Sequence, residues 1–170
     1  MPHYLRMLAL LLIFGLLPTD IVVAKELKLN PFVAGSAKAI AAAKAGRPYV
    51  MAFWSVNCVH CRAELDMLGK LGKQYPGLDV VLVATDPVEE SAAVSSVLHQ
   101  YSLEQAESWV FADDFVERLH FEVDRQWRGE LPRTYLYAPG AAVVAVSGKL
   151  DAQQLERWVI KAQRGELARH

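Results

Sequence analysis

Phe53-Trp54-Ser55-Val56-Asn57-Cys58-Val59-His60-Cys61-Arg62-Ala63-Glu64 is where the chain changes period from strand to helix, with two cysteines three residues apart at the junction. Upstream, Tyr49 to Trp54 is a continuous apolar run, too short for a stable helix and suited to a strand covered on both faces. Downstream, Cys58, Cys61, Leu65, Leu68, Leu71 and Tyr75 recur at intervals of three and four, which places them on one helical face. Gly69 and Gly72 weaken that helix, and Pro76-Gly77 ends it.

Working outward, Leu78 to Ala84 reads as a second buried strand, so the segment closes a βαβ unit that crosses over right-handed and implies a parallel sheet. Asp86-Pro87-Val88-Glu89 reads as a helix start, with Asp86 as cap, Pro87 at the first helical position and Glu89 completing a capping box. Val94, Val97, Leu98 and Tyr101 mark the buried face of that helix. Before the central strand, Ser36 as cap, the alanine-rich stretch to Ala45 and Gly46 beyond it predict a lead-in helix. Trp109 to Phe111 is a short strand, and Phe115 to Phe121 a short helix after Asp113-Asp114. Arg133 to Ala138 and Ala142 to Ser147 flank Pro139-Gly140 as an antiparallel hairpin. Asp151 with Gln154 then caps a last helix, with Leu155, Trp158, Val159 and Ala162 at i, i+3, i+4 and i+7. The result is an α/β sandwich with a mixed sheet and helices on both faces.

The 170 residues, 53% of them hydrophobic, suffice for one substantial core. A net charge of -1, with no run of five like charges, leaves no electrostatic footprint for nucleic acid or anionic lipid. Residues 1–24 read as a secretory signal: Arg6 supplies the positive flank, Leu8 to Leu17 the apolar segment, and Pro18 ends it. Ten apolar residues are too few to cross roughly 30 Å of hydrocarbon as a helix. A cut after Ala24 starts the mature chain at Lys25, and residues 25–170 then form one domain without a stable membrane span. An uncleaved tethering helix is the alternative. The closing Arg164 to His170 is polar and reads as a fraying end.

Export would put the chain where disulfides persist, yet it has only two cysteines, both in one tetrapeptide, so they are not a folding framework. Residues three apart on the first helical turn suit the Cα separation of an unstrained disulfide, about 4.4 to 6.8 Å. A reactive thiol must sit below the free value of about 8.5, in a range of roughly 3.5 to 7.5. The helix dipole contributes at most about 2 kcal/mol. The rest must come from backbone N–H groups after Cys58, from the Cys61 thiol and from His60 when positive. Cys58 at the helix end is therefore the candidate nucleophile, Cys61 the resolving thiol and His60 a tuner of their potential. Zinc would need about four ligands, and His99 and His120 stand alone on predicted helices as surface or half-buried residues. Covalent haem would need histidine where Arg62 stands. No metal or other cofactor is called for, and an inert structural disulfide is the remaining alternative.

On these residues the chain resembles the thioredoxin superfamily, and within it the exported TlpA/ResA-type branch. The likeness covers about Tyr49 to Ile160. It rests on Phe53-Trp54 ahead of Cys58-Val59-His60-Cys61, on Arg62-Ala63-Glu64, and on Trp127-Arg128-Gly129-Glu130-Leu131-Pro132-Arg133-Thr134. The gap from Cys61 to Pro132 also has room for an extra βα element. The resemblance implies a thioredoxin-like three-layer sandwich, a cis bond at Pro132 facing the disulfide, and a substrate-docking surface of Trp54, Leu131 and Pro132. It implies a proton-carrying role for Glu64. Trp109, Trp127 and Trp158 are expected in the core. Departures from the branch are Asn57 before the first cysteine, Val59-His60 between the two, Ala52 where thioredoxins bury an acid, and Asp66 where a helix proline is common.

The implied function is periplasmic disulfide exchange with protein disulfide or dithiol substrates, as a reductase recharged by a membrane electron donor. His60 points the other way, since its cation favours the thiolate and so the reduced form. A different class of function on the same fold is a redox-linked chaperone or metal-delivery module using the groove at Leu131.

Overall fold

A computed structural model describes residues 27–167. Residues 1–24, expected to be a signal segment, and the expected cut before Lys25 lie outside the described residues, as does the end of the polar tail.

Six strands form one mixed sheet in the order β1-β4-β3-β2-β5-β6. They are β1 (Leu29–Phe32), β2 (Tyr49–Trp54), β3 (Asp79–Pro87), β4 (Glu107–Phe111), β5 (Arg133–Tyr137) and β6 (Val144–Ser147). The first four run parallel. β5 runs antiparallel to its neighbour β2, and β6 antiparallel to β5. Five helices connect them: α1 (Ser36–Ala43), α2 (Val59–Gln74), α3 (Ser91–Gln100), α4 (Val116–Val123) and α5 (Ala152–Gln163).

Strand alternation divides the core into two halves. Val50, Ala52 and Trp54 of β2, with Val80, Leu82 and Ala84 of β3, face Leu65, Leu68 and Leu71 of α2, Val94 and Leu98 of α3, and Leu155 and Val159 of α5. Tyr49, Met51 and Phe53, with Val81 and Val83, turn to the other face and pack with Ile40 of α1 and Leu119 of α4. Each such side chain contributes on the order of 1.5–3 kcal/mol on burial, so a two-sided core of this kind outweighs any single polar contact. All six residues of β2 are buried, as its unbroken apolar run requires. The three-layer sandwich expected from the sequence is the fold observed.

Local rules misplace some boundaries. Gly35, at φ +85°, is the cap of α1. Ser36 is the first helical residue, and its Oγ accepts from the Val33 N–H at 2.9 Å. Asp86 does not cap a helix; β3 runs on through Pro87, a 3₁₀ turn covers Val88–Glu90, and α3 begins only at Ser91. β6 starts at Val144 rather than Ala142. β1 was not apparent, because Leu-Asn-Pro-Phe shows little alternation. It is an edge strand, where Pro31 can be accommodated. No helix among the described residues is long and apolar enough to cross a membrane.

Candidate active site

β2 ends at Trp54, and three residues later Cys58 caps α2 in extended conformation, φ −85° and ψ 102°. Cys58 and Cys61 form a disulfide with S–S 2.08 Å and Cα–Cα 5.3 Å. The Cys58 Sγ accepts a hydrogen bond from the Cys61 N–H at 3.1 Å. The sulfur thus sits among the unpaired N–H groups that open a helix, the place where a thiolate is stabilised. Cys61 is 1% exposed, whereas Val59 between the two cysteines is 80% exposed. Cys58 is half-buried, and Asn57 and His60 are exposed. Of the two cysteines Cys58 is the more accessible, while Cys61 stands one turn behind it.

The β2–β5 register ends at Phe53 opposite Arg133, which brings Pro132 to the end of the strand that leads into Cys58. The Leu131–Pro132 peptide is the cis bond among the described residues. Pro132 is buried and Leu131 half-buried. Behind them Arg133 is held by Asp124 Oδ2 at 2.5 Å, by Tyr135 Oη at 2.9 Å and by the Ser147 hydroxyl. A guanidinium this buried must be paired; through Asp124, at the end of α4, it pins the loop that carries Leu131 and Pro132.

No protein-family model matches the chain, and no curated protein matches it. Solved structures do. A secreted Mycobacterium tuberculosis disulfide oxidoreductase homologous to E. coli DsbE superposes with TM-score 0.55 at 21% identity, over 70% of this chain and 84% of its own. A thiol:disulfide interchange protein of the thioredoxin family from Chlorobium tepidum gives TM-score 0.57 at 19% identity, over 72% and 83%. StoA from Bacillus subtilis gives 0.50 at 20%, over 66% and 82%. The chain has the thioredoxin-like fold.

Within this thioredoxin-like domain Glu64 lies on α2 one turn beyond Cys61 and is only 3% exposed. The Thr134 hydroxyl donates to its Oε1, and the Leu150 N–H donates to its Oε2 at 3.3 Å. Burial pushes its carboxyl above the usual carboxylate range, with the two hydrogen bonds acting in the opposite direction. Glu64 borders a cavity of about 660 Å³ between α2 and the segment ahead of α5, lined also by Met67, Lys70, Lys149 and Ala152. A larger groove, about 850 Å³, lies at the other end of the sheet near Lys44, Asp79 and Glu107 and takes no part in the site.

Trp54 corrects an expectation. It is 2% exposed and belongs to the core beneath α2, because the strand period turns it to the same face as Val50 and Ala52. It therefore has no surface to offer a substrate. Trp127 and Trp158 are core residues as expected, at 1% and 8% exposure, and Trp109 is half-buried. His120 is half-buried against the Trp127 ring, 4.3 Å between centroids, and burial lowers its pKa. His99 is exposed beside Glu104.

Asp86 is the site residue that sequence reasoning missed. It is 5% exposed and reaches from the end of β3 to the loop ahead of Cys58. There it accepts from the Ser55 hydroxyl at 2.8 Å and from the Val56 N–H at 3.1 and 3.2 Å. Arg62 donates to the Val56 carbonyl at 2.9 Å. The signal available was an acidic residue two positions beyond the apolar run that ends at Ala84, a position that the neighbouring Pro87 made look like a helix start.

Proposed function

We propose that this chain is an exported thiol-disulfide oxidoreductase of the TlpA/ResA type that reduces disulfides in protein substrates. The observation that carries the reading is the asymmetry of the pair: Cys58 at the open end of α2, its sulfur facing a helix N–H, and Cys61 sealed one turn behind. Exchange then follows in two steps. The Cys58 thiolate attacks one sulfur of a substrate disulfide, forming a mixed disulfide and releasing the other substrate sulfur as thiolate. The Cys61 thiolate next attacks Cys58 Sγ, which frees the reduced substrate and closes the Cys58–Cys61 bond. A membrane-bound dithiol donor returns two electrons and restores the dithiol.

In this reading Leu131 and Pro132 form the substrate rest beside Cys58, where the backbone of Leu131 pairs with an extended segment of the substrate. Glu64 takes and returns the proton of Cys61, a task suited to a carboxyl held above its ordinary range by burial. His60 sets the potential. Export is supported by the reading of residues 1–24 as a signal, and by the secreted state of the Mycobacterium tuberculosis oxidoreductase that shares the fold.

Reduction of insulin with dithiothreitol as donor tests the activity. Turnover by the parent protein that disappears in Cys58→Ser is the expected result, and a parent protein without turnover would overturn it. Direction is tested by the reduction potential in glutathione buffers. A value near the glutaredoxin range, about −200 to −230 mV, or lower is expected of a reductase; one near the DsbA value of about −120 mV would make it an oxidant.

A further inference from the structure

Between Trp54 and Cys58 the chain belongs to neither strand nor helix, and its backbone groups have no ladder to join. Several nonetheless find partners. The Cys58 N–H donates to the Ser55 carbonyl at 3.1 Å, and the Asn57 N–H to the Ser55 hydroxyl at 3.2 Å. Val56 is held from both ends of its own backbone: its N–H by the Asp86 carboxylate, its carbonyl by the Arg62 guanidinium. The two side chains come from opposite sides, Asp86 from the end of β3 and Arg62 from the first turns of α2.

Keeping a carboxylate 95% out of solvent costs free energy unless its lone pairs are used. Here both oxygens are engaged, and every partner lies in the three-residue loop that delivers Cys58. Local sequence would send an Asp followed by Pro to a helix start. The fold instead draws Asp86 into contact with residues 30 and 31 positions away.

We propose that Asp86 and Arg62 are positioning residues for Cys58, clamping Val56 between them so that the sulfur stays at the N-terminus of α2 when the disulfide is open. The inference rests on Cys58 being the nucleophile. Without the clamp the loop samples other conformations, the sulfur leaves the N–H of Cys61, and less of it is thiolate at neutral pH. The sign of the effect separates this role from that of a nearby charge. A negative charge that merely stood near Cys58 would disfavour its thiolate, so deleting Asp86 would lower the thiol pKa. Deleting a clamp raises it.

The test uses the reduced full-length protein and reads the thiolate absorbance at 240 nm against pH, together with the rate of Cys58 alkylation by iodoacetamide. Neither readout needs a substrate, so a protein inactive on insulin would fail as a reductase without bearing on the clamp. Asp86→Ala is expected to raise the Cys58 pKa and slow alkylation at pH 7 by about three- to tenfold, the effect of losing one hydrogen bond to the sulfur. Asp86→Asn can still accept from the Val56 N–H while donating to the Ser55 hydroxyl, and is expected to keep the parent pKa. Arg62→Met combined with Asp86→Ala should slow alkylation no more than the slower of the two single variants, because both act through Val56. A faster reaction in Asp86→Ala, or fully multiplicative slowing in the double variant, would overturn the proposal. Should Asp86→Ala fail to fold, Asp86→Asn decides: an unchanged pKa supports the clamp, and a lowered one makes Asp86 only a charge.

Discussion

The Thr134 hydroxyl donates to the carboxylate of Glu64, which ties the helix opened by Cys58 to the strand that follows Pro132. The two residues are 70 positions apart, and through the Leu150 N–H the same carboxylate also reaches the segment ahead of α5. A buried carboxylate at this crossing joins three elements, and its ionisation is resisted by the burial that makes the crossing possible.

A pH-dependent stability follows. Because burial raises the Glu64 pKa, the folded state binds this proton more tightly than the unfolded state. Its contribution to stability is full below the ordinary carboxylate range and is lost as pH rises through the raised value. Glu64→Gln keeps both hydrogen bonds by turning its oxygen to Leu150 and its nitrogen to Thr134, and it cannot ionise. It should raise Tm at pH 7 by roughly 2–4 °C, what ~1 kcal/mol amounts to in a domain of this size, and by clearly less at pH 4. Equal gains at the two pH values in a thermal melt would count against burial as the cause.

Gly69 and Gly72 on α2 should respond to alanine in opposite senses. A Cβ at Gly69 would stand 2.2 Å from the backbone carbonyl oxygen of Tyr101, whereas one at Gly72 meets nothing within 4 Å. Gly69→Ala forces α2 away from the end of α3 and should cost about 1–3 kcal/mol. Gly72→Ala should stabilise by roughly 0.5–1 kcal/mol through helix propensity alone. Urea unfolding of the two variants checks both, and a stable Gly69→Ala would show that the contact yields.

Cys61→Ser should trap the first half of the exchange. Attack by Cys58 still forms the mixed disulfide, but no thiolate remains one turn behind to resolve it. Non-reducing gels of Cys61→Ser with a disulfide-bonded substrate should show a covalent adduct that dithiothreitol releases. The same incubation with Cys58→Ser should show none, since Cys61 is 1% exposed; an adduct there would reverse the assignment of the two sulfurs.

His60→Pro should make the couple more reducing, by about 30 mV or more, equivalent to ~1.4 kcal/mol. The exposed imidazole stands between the cysteines, and its protonated form favours the Cys58 thiolate and with it the dithiol. Proline removes that cation. Potentials measured against glutathione provide the check, and one that stays put or rises would remove His60 from the tuning role.

Much of this protein was legible in local pattern. The run from Tyr49 to Trp54 had to be a strand covered twice, and the spacing from Cys58 to Leu71 had to be a helix with both sulfurs in its opening turn. The hairpin around Pro139-Gly140 and the Asp151 cap, whose carboxylate accepts from the Gln154 N–H at 2.8 Å, follow the same rules. These features depend on periods of two and 3.6 residues and on single capping bonds, which a short window of sequence contains.

Tertiary structure decided what those windows could not. Asp86 is equally suited to start a helix or to receive the backbone of a distant loop; packing of β3 beside β2 settled it, by bringing Ser55 and Val56 within reach. Trp54 looked available to a substrate until the pleat of β2 turned it under α2. Glu64 shares by spacing the face of Cys61 and Leu68, but the Thr134 hydroxyl and the Leu150 N–H that its carboxylate accepts from lie 70 and 86 positions away. For Trp54 and Glu64 the backbone element followed from neighbours in the chain, and for Asp86 it did not; in all three, burial and surroundings were set by residues tens of positions away, brought close only when the sheet assembled.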